Sequence, residues 1–238
     1  MIEYVTSTGS TNADLIARLA AGERVPEGSW LVADRQTAGR GRQGRAWLDA
    51  PGNFMGSTVV HLAPQDPAAA GLSFVTALAV YETVLVRLAG PRELQLKWPN
   101  DVLLGGAKFC GLLLERAGDS AVIGVGVNLA GSPELAERTT RSLSDYGPPP
   151  DRDAFAAELA AQFDVELGRW RQYGLEPVLN RWKLAAHPVG TPLTVHDAAR
   201  QPLAGTFDGL EPDGALRLRL EDGSCRVIHA GDVTLEGQ

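Results

Sequence analysis

The sequence predicts an α+β protein, in which a main domain with a mixed, mostly antiparallel sheet flanked by helices precedes a small C-terminal β-barrel. Helical and strand patterns are interspersed over the first 188 residues without the strict alternation of a parallel α/β fold. After that point the pattern changes to short strands separated by turns. We therefore place the main domain at residues 1–188 and the second domain at residues 189–238.

Two helices and two strands are predicted in the first third of the chain. Apolar residues recur at helical spacing until Gly22, which predicts a helix over about 12–21. Asp66-Pro67 is typical of a helix start, because aspartate can cap the first turn and proline fits the first helical position. This second helix is predicted to extend to about Leu88. The strands are predicted at 29–36 and 54–62.

The middle of the chain is predicted to form antiparallel hairpins, with turns at Gly105-Gly106 and Gly118-Asp119. Two helices follow a proline-rich break, and the first of them repeats Phe, Leu and Trp every three or four residues. The predicted strands are 94–97, 102–104, 108–116 and 121–129, the helices are 153–173 and 176–186, and the strands of the barrel are 192–196, 203–210, 215–221, 225–229 and 233–235.

The composition is that of a folded protein with an acidic surface. Hydrophobic residues make up 44% of the 238 positions, and 22 basic against 29 acidic residues give a net charge of −7. This charge disfavours general nucleic-acid binding, which needs an extended basic face. The two cysteines and four histidines show no spacing typical of a disulfide scaffold or a zinc site. Without a secretion signal or a membrane-spanning run, the sequence predicts a cytoplasmic protein.

An arginine- and glycine-rich segment contrasts with this acidic background. Residues 37–45 read Thr-Ala-Gly-Arg-Gly-Arg-Gln-Gly-Arg, and Arg35 lies just upstream. Glycine lets backbone N–H groups approach an anion closely, and guanidinium groups bind carboxylate or phosphate through two hydrogen bonds. The segment suits a small polyanion such as a nucleotide, although it lacks the Gly-Lys-Ser/Thr of a Walker loop. A solvent-exposed basic hairpin would explain the composition equally well.

A second polar cluster is predicted where a strand ends, at Lys97-Trp98-Pro99-Asn100-Asp101. Proline disfavours helix at the preceding residue, so Asn100 and Asp101 are expected in a turn with their side chains facing a cleft. Lysine can neutralise phosphate, and the Asp101 carboxylate can hold Mg²⁺ through oxygen. A Trp-Pro packing corner with surface polar residues is the structural alternative.

Two further segments are candidates for ligand contact. Gly124 and Gly126 lie within a predicted strand, where glycine can leave room for a flat ligand ring, although a β-bulge would also explain them. Ser10-Thr11-Asn12 is typical of a helix cap, and the exposed N–H groups at a helix start also suit an anion.

Taken together and in this order, these motifs resemble those of biotin protein ligases. The resemblance is carried by the helix cap, by Gln36 and the arginine segment through Trp47, by the Lys-Trp-Pro-Asn-Asp run, and by Lys108 with the glycine-containing strands. It covers the main domain, and the C-terminal barrel matches as well. It implies the fold shared by biotin ligases and class II aminoacyl-tRNA synthetases, followed by an SH3-like barrel.

The resemblance also implies a two-step reaction. Biotin and ATP, with Mg²⁺ present, would give biotinyl-5′-AMP and pyrophosphate, and a lysine of a biotin carboxyl carrier protein would then take the biotinyl group. A carboxylate and a triphosphate repel each other, which explains why such a site contains fixed cations. The loop at 37–50 is expected to be mobile when empty and to close over the adenylate, excluding water.

By position in the motifs, the resemblance assigns individual roles. The catalytic residues would be Lys108, Arg45, Arg42 and Asp101, and Asp101 is also a candidate for holding Mg²⁺ and for deprotonating the acceptor lysine. The biotin site would comprise Ser10, Thr11, Asn12, Gln36, Gly39, Arg40, Arg42, Lys108, Gly111 and Gly126. The ATP site would comprise Arg42, Arg45, Trp47, Lys97, Asn100, Asp101, Lys108 and Asn128.

Two alternatives to this function remain open. A lipoate-protein ligase or octanoyl transferase would share the fold and the acyl-to-lysine chemistry, and a noncatalytic anion- or RNA-binding module belongs to a different class. No DNA-binding helix-turn-helix fits before Ser10, so we expect no DNA binding, while a homodimer could form through sheet edges. Phe109 and Gln43 depart from the family pattern without removing a group that the reaction needs.

Overall fold

The chain folds into two sheets and four α-helices within the part that the computed structural model describes, residues 1–48, 50–135, 139–196 and 202–235. The strands of the first sheet are β1 (Ile2–Val5), β2 (Trp30–Ala33), β3 (Phe54–His61), β4 (Leu94–Lys97), β5 (Asp101–Leu104), β6 (Ala107–Ala117) and β7 (Ser120–Val127). Those of the second are β8 (Pro192–His196), β9 (Pro202–Leu210), β10 (Leu216–Arg219), β11 (Cys225–Ile228) and β12 (Asp232–Leu235). The helices are α1 (Thr11–Ala20), α2 (Leu72–Leu85), α3 (Arg152–Tyr173) and α4 (Leu175–Ala185).

The predicted α+β class is confirmed by the strand pairing. The first sheet has the order β1-β2-β3-β7-β6-β5-β4, and every neighbouring pair in it is antiparallel except β1 with β2. The predicted turns at Gly105-Gly106 and Gly118-Asp119 join β5 to β6 and β6 to β7. The second sheet is antiparallel throughout, in the order β11-β10-β9-β8-β12.

Two local predictions are wrong. The prediction omits β1, a short strand that pairs with β2. The second helix does not start at Asp66: α2 begins at Leu72, after a 3₁₀ turn at Ala69–Gly71. The Asp66 carboxylate instead accepts from the Ala63 N–H in a local turn and pairs with Arg171 of α3. The Asp66 side chain therefore stabilises a tight turn and a tertiary ion pair, and it does not cap a helix as the sequence pattern predicted.

The two faces of the first sheet pack against different helices. Because side chains alternate along a strand, Trp30 and Phe54 point to the face that α2, α3 and α4 cover. Leu31 and Val59 point to the opposite face, where they form a smaller cluster with Leu15 of α1. Since α1 is short, part of this second face stays uncovered, and the candidate site lies there.

The second sheet follows α4 directly. Helix α4 ends at Ala185 and β8 begins at Pro192, and α4 contacts both β4 of the first sheet and β9 of the second. The domain boundary between residues 188 and 189 stays a prediction. None of the helices in the described ranges is long and apolar enough to cross a membrane.

Candidate active site

A cavity of about 740 Å³ lies on the α1 face of the first sheet and extends to the edge of the second. Nearly all of the predicted site residues line it: Ser10, Thr11, Asn12, Gln36, Arg40, Arg42, Arg45, Trp47, Lys97, Asn100, Asp101, Lys108, Gly111, Gly126 and Asn128. The exception is Gly39, which is buried and does not line the cavity. A Cβ at Gly39 would lie 2.9 Å from the Trp47 carbonyl oxygen, so this glycine allows a close backbone approach.

The arginine segment forms a small hairpin at the mouth of this cavity. Arg40 pairs with Ala46 as an isolated bridge, and the Trp47 N–H donates to the Gly39 carbonyl at 2.9 Å. A 3₁₀ turn at Arg42–Gly44 closes the hairpin. The basic hairpin offered above as an alternative is therefore present, but it is not simply solvated, because Arg42 and Arg45 have partners across the cavity.

Arg42 and Arg45 contact residues far away in the sequence. One Arg42 Nη donates to Asn100 Oδ1 and to the Gly231 carbonyl, each at 3.3 Å. Arg45 Nη2 donates to both carboxylate oxygens of Asp232, at 2.8 and 2.9 Å. Burial lowers the pKa of Arg42, and the nearby carboxylates of Asp232 and Asp101 oppose that shift. The second sheet thus holds the arginine hairpin against the first.

A lysine–aspartate–lysine cluster lies opposite the hairpin. Lys108 Nζ donates to Asp101 Oδ1 at 2.6 Å, and Lys97 Nζ lies 3.9 Å from the other carboxylate oxygen. All three side chains are between 13% and 17% exposed, so they face the cavity from a mostly buried position. The Lys108 backbone is fixed on both sides, since its N–H donates to the Thr139 carbonyl and its carbonyl accepts from Arg141.

The glycines of the sheet do face a flat ring, and that ring belongs to the protein. A Cβ at Gly126 would lie 2.4 Å from the Trp47 indole, and one at Gly111 would lie 2.9 Å from the same ring. Lys108 Nζ is 6.0 Å from the Trp47 ring centroid, within range of a cation–π interaction. The hairpin, Lys108 and the glycine strands therefore meet at Trp47.

Asn100 and Asn128 position backbone next to the cavity. The Asn100 amide donates to the Leu112 carbonyl at 2.5 Å while its oxygen accepts from Arg42. The Asn128 amide donates to the Arg141 carbonyl at 3.1 Å. Asn128 is also buried, and its bond to the Arg141 carbonyl gives it a structural role. Its contact with ATP stays a prediction.

Among the residues that the structure describes, none group into a protein-held metal site. Within the described ranges, no three His, Cys, Asp or Glu side chains cluster as metal ligands. The Asp101 carboxylate, which the sequence analysis put forward for Mg²⁺, is instead occupied by two ammonium groups. Two cations beside a single carboxylate disfavour a third, so the structure favours a lysine-pairing role for Asp101.

Sequence reasoning missed two residues that matter for the geometry. Ser57, on β3, lies beneath the helix cap and bonds to both Thr11 and Asn12. Its only local signal is a pair of hydroxyl residues, Ser57-Thr58, inside an otherwise apolar strand. Asp232 carries no local signal at all, because its contact with Arg45 joins residues 187 positions apart.

Comparison with known proteins places the chain in a family. The model of the Biotin/lipoate A/B protein ligase family matches residues 5–128, and that of the Biotin protein ligase C terminal domain matches residues 194–235. The biotin--[acetyl-CoA-carboxylase] ligase of Paracoccus denitrificans is 37% identical over 97% of this chain and 98% of its own length. The Mycobacterium tuberculosis enzyme of the same name is 36% identical over 98% of this chain and 88% of its own.

Solved structures agree with this placement. A biotin protein ligase from Aquifex aeolicus, in complex with biotin and ATP, superimposes with a TM-score of 0.85 and 25% identity, covering 99% of this chain and 98% of that one. The family model covers more than half of the chain, and the relatives match along nearly its whole length. The chain therefore belongs to the biotin/lipoate A/B protein ligase family and carries the C-terminal domain of the biotin protein ligases.

Proposed function

We propose that the protein is an ATP-dependent biotin protein ligase, which makes biotinyl-5′-AMP and transfers the biotinyl group to a lysine of a biotin carboxyl carrier protein. The observation that carries this proposal is the meeting of Arg42, Arg45 and Lys108 from distant stretches in one cavity. The relatives named as biotin--[acetyl-CoA-carboxylase] ligases support the same acceptor. The C-terminal domain match favours this function over lipoate or octanoyl transfer.

The first step needs cations to bring two anions together. The biotin carboxylate attacks the α-phosphorus of ATP, a carboxyl–phosphate bond forms, and pyrophosphate leaves with the electron pair of the broken P–O bond. Arg42, Arg45 and Lys108 supply fixed positive charge where negative charge grows on the phosphorus oxygens. Mg²⁺ bound to the triphosphate oxygens would supply further charge neutralisation. Asp101 is paired with Lys97 and Lys108 in the structure.

The pairings in the site keep these cations in place before the substrates arrive. Asp101 holds Lys108 Nζ at 2.6 Å, and Asn100 together with the Gly231 carbonyl holds Arg42. The Arg45–Asp232 pair is half-exposed, so it contributes at most about 1 kcal/mol and can be exchanged for a phosphate. Positioned cations lose little freedom on binding, which supports catalysis by preorganisation.

In the second step, the acceptor lysine amine attacks the acyl carbon and AMP leaves. An amine with an ordinary pKa near 10.4 must first lose a proton. Asp101 stays the predicted base for that proton, although its two lysine partners support a positioning role. A pH–rate profile of the transfer step that is unchanged in Asp101→Asn would remove the predicted role as base.

Biotinylation of a carrier domain tests the proposed function. We expect a streptavidin-detectable product when the protein is incubated with biotin, ATP, Mg²⁺ and a biotin carboxyl carrier domain. Lys108→Ala should abolish the signal, whereas Lys183→Ala, which removes an exposed lysine on α4, should not. Product with lipoate or octanoate in place of biotin would favour the related ligases, and no product with any acid would favour a binding module.

Three narrower expectations stay predictions and have their own tests. The homodimer predicts a molar mass by sedimentation equilibrium of about twice that of one chain. The absence of DNA binding predicts no specific shift of a biotin-operon operator in a gel assay. The cytoplasmic location predicts that cell fractionation recovers the protein with soluble cytoplasmic markers.

A further inference from the structure

A line of hydrogen bonds runs along the cavity wall, from β6 to the start of α1. The Asn12 amide nitrogen donates to Glu115 Oε2 at 2.8 Å and to the Leu113 carbonyl at 3.3 Å. Both partners are acceptors, which fixes the orientation of the amide group. Its oxygen therefore points the other way and accepts from Ser57 Oγ at 2.6 Å.

The sheet leaves space for this amide. A Cβ on Gly124 of β7 would lie 2.5 Å from Asn12 Oδ1 and 3.1 Å from the adjoining carbon, so any larger residue would displace the group. Asn12 is 3% exposed and Ser57 is completely buried, so the bond between these two side chains is shielded from water. The line of bonds is thus part of the rigid wall of the cavity.

Counting protons sets the direction of the next bond. Ser57 has one hydroxyl proton, and the bond to the Asn12 oxygen uses it. Ser57 Oγ also lies 2.6 Å from Thr11 Oγ1, a separation that requires a proton between the two oxygens. That proton must come from Thr11. Thr11 Oγ1 also lies 3.1 Å from Gln36 Oε1, which accepts from the Thr11 N–H at 2.8 Å, but the single Thr11 hydroxyl proton is used in the shorter contact with Ser57.

The result is a hydroxyl with a defined polarity. With its own proton committed to Ser57, Thr11 Oγ1 offers only lone pairs to the cavity that it lines. It can accept a hydrogen bond from a ligand N–H, and it cannot donate to a ligand carbonyl. A site with fixed polarity discriminates strongly against a ligand that presents the wrong group.

We propose that Ser57 and Glu115 are positioning residues which hold the Thr11 hydroxyl as an acceptor for an N–H of the ligand. This inference rests on the proposed function, under which the ligand is biotin and the donor is an N–H of its ureido ring. In this arrangement Ser57, which also lines the cavity, acts through Thr11, and Glu115 acts by orienting Asn12.

Titration calorimetry with biotin alone tests the role of Ser57. Ser57→Ala should weaken biotin binding about tenfold, the effect of losing one well-placed hydrogen bond. The matched control is Thr58→Val, which removes a buried hydroxyl from the next residue of β3, where it bonds to the Ser29 carbonyl outside the cavity. Thr58→Val should leave biotin affinity within twofold of the wild type, roughly.

A double-mutant cycle shows whether Ser57→Ala weakens binding through the Thr11 hydroxyl or through a general disturbance of the structure. If Ser57 acts through the Thr11 hydroxyl, the penalty of Ser57→Ala should fall below about twofold when Thr11 is already valine. Equal penalties in both backgrounds would overturn the inference. The steady-state pattern should match: the KM for biotin rises in Ser57→Ala, and kcat stays near the wild-type value.

Glu115 is tested by removal and rescue. Glu115→Leu removes the nearer of the two acceptors of the Asn12 amide nitrogen, leaving only the longer bond to the Leu113 carbonyl, and should weaken biotin binding. Glu115→Gln keeps an acceptor oxygen and should restore most of the affinity. Glu115→Leu with unchanged affinity would refute its role. If the wild-type protein bound no biotin at all, the proposed function would fail; wild-type binding with an inert Ser57→Ala would refute this inference alone.

Discussion

At the scale of single residues, glycine is placed where a side chain would collide with the site. Gly126 and Gly111 both face the Trp47 indole, and Gly124 faces the Asn12 amide. A Cβ added at Gly126 would lie less than 2.6 Å from the Trp47 ring, and one added at Gly124 would lie less than 2.6 Å from the Asn12 amide oxygen. An alanine at either position would therefore force its neighbour to move. The glycines thus fix the positions of two residues that line the cavity.

Gly126→Ala should therefore impair ligand binding more than overall folding. The added methyl group would push the Trp47 ring from the sheet, and we expect biotin affinity to fall by at least about tenfold. Calorimetric titration with biotin measures the effect, and the melting temperature reports on the fold. Gly90→Ala is the control, since a Cβ there meets no atom within 4 Å. Unchanged affinity in Gly126→Ala would contradict the close contact with Trp47.

Sequence motifs pick out residues that the fold brings together where these residues stand in short runs of the chain, while their roles stay predictions. Arg42, Lys97 and Lys108 are recognisable from motifs, and the structure places all three around one cavity. Ser57 was missed because a lone hydroxyl in a strand looks like an ordinary buried serine until its neighbours are known. Its role depends on a helix and a strand that the sequence does not show to be adjacent.

At the scale of elements, the arginine hairpin is anchored more firmly than its composition suggests. Glycines and like charges predict a loop with few contacts before an anion binds. In the structure, Arg42 reaches Asn100 and the Gly231 carbonyl, and Arg45 reaches Asp232. These are half-exposed polar contacts of modest strength, so they hold the hairpin without preventing its rearrangement.

Limited proteolysis tests whether this element responds to ligand. We expect trypsin to cleave after the exposed Arg40 and Arg45 in the free protein. Cleavage should slow at least about fivefold with biotin plus ATP, because a bound adenylate orders the hairpin. Mass spectrometry of the fragments identifies the sites. Cleavage at Arg226 of the second sheet, also exposed, is the internal control and should not change. Equal cleavage at Arg40 and Arg45 with and without ligands would contradict closure.

Element boundaries were predictable only where local signals act alone. The Ser10 cap and the spacing of α1 placed that helix within one residue of its observed start. The Asp66-Pro67 signal misplaced the start of α2, since Asp66 pairs with Arg171 of α3 in the folded chain. A capping residue that finds a tertiary partner cannot be recognised from its sequence neighbours.

At the scale of the whole molecule, the junction between the two sheets combines a contact at the cavity with a buried histidine. Asp232 brings the second sheet to the arginine hairpin, and His187 lies between α4 and β8, packed against the Phe207 ring at 4.7 Å. Neither ring nitrogen of His187 has a hydrogen-bond partner among the described residues. Burial lowers the pKa of His187 to about 4, and the charge of Lys97 adds to the shift.

This histidine should make the protein less stable in mild acid. It is neutral in the fold, whereas in the unfolded chain it protonates near pH 6.5, so the unfolded state binds more protons between about pH 6.5 and 4. The contribution of the neutral His187 to the free energy of unfolding should be complete above pH 6.5. The free energy of unfolding should then fall by up to about 3 kcal/mol as the pH drops to 4. Urea unfolding across this range measures it. His187→Phe should reduce this loss of unfolding free energy, whereas the control His229→Asn, at an exposed histidine, should leave it unchanged. An equal loss in the wild type and in His187→Phe would contradict the assignment to His187.

The arrangement of the two sheets is the part that the sequence could not provide. Strand patterns predicted both sheets, but the approach of Asp232 to Arg45 depends on how the second sheet packs against the first. Long-range packing of this kind is decided by the combined shape of many side chains and leaves no trace in any short segment.

Formation of biotinyl-5′-AMP without any carrier protein decides whether the clustered cations perform the proposed chemistry. We predict that the wild-type protein, mixed with biotin, ATP and Mg²⁺, yields the adenylate and pyrophosphate, detected by mass spectrometry. Lys108→Ala and Arg42→Ala should each slow this step at least about 100-fold, while Lys183→Ala does not. A folded wild-type protein that makes no adenylate, or a Lys108→Ala variant that makes it at the wild-type rate, would show that these cations do not serve this reaction.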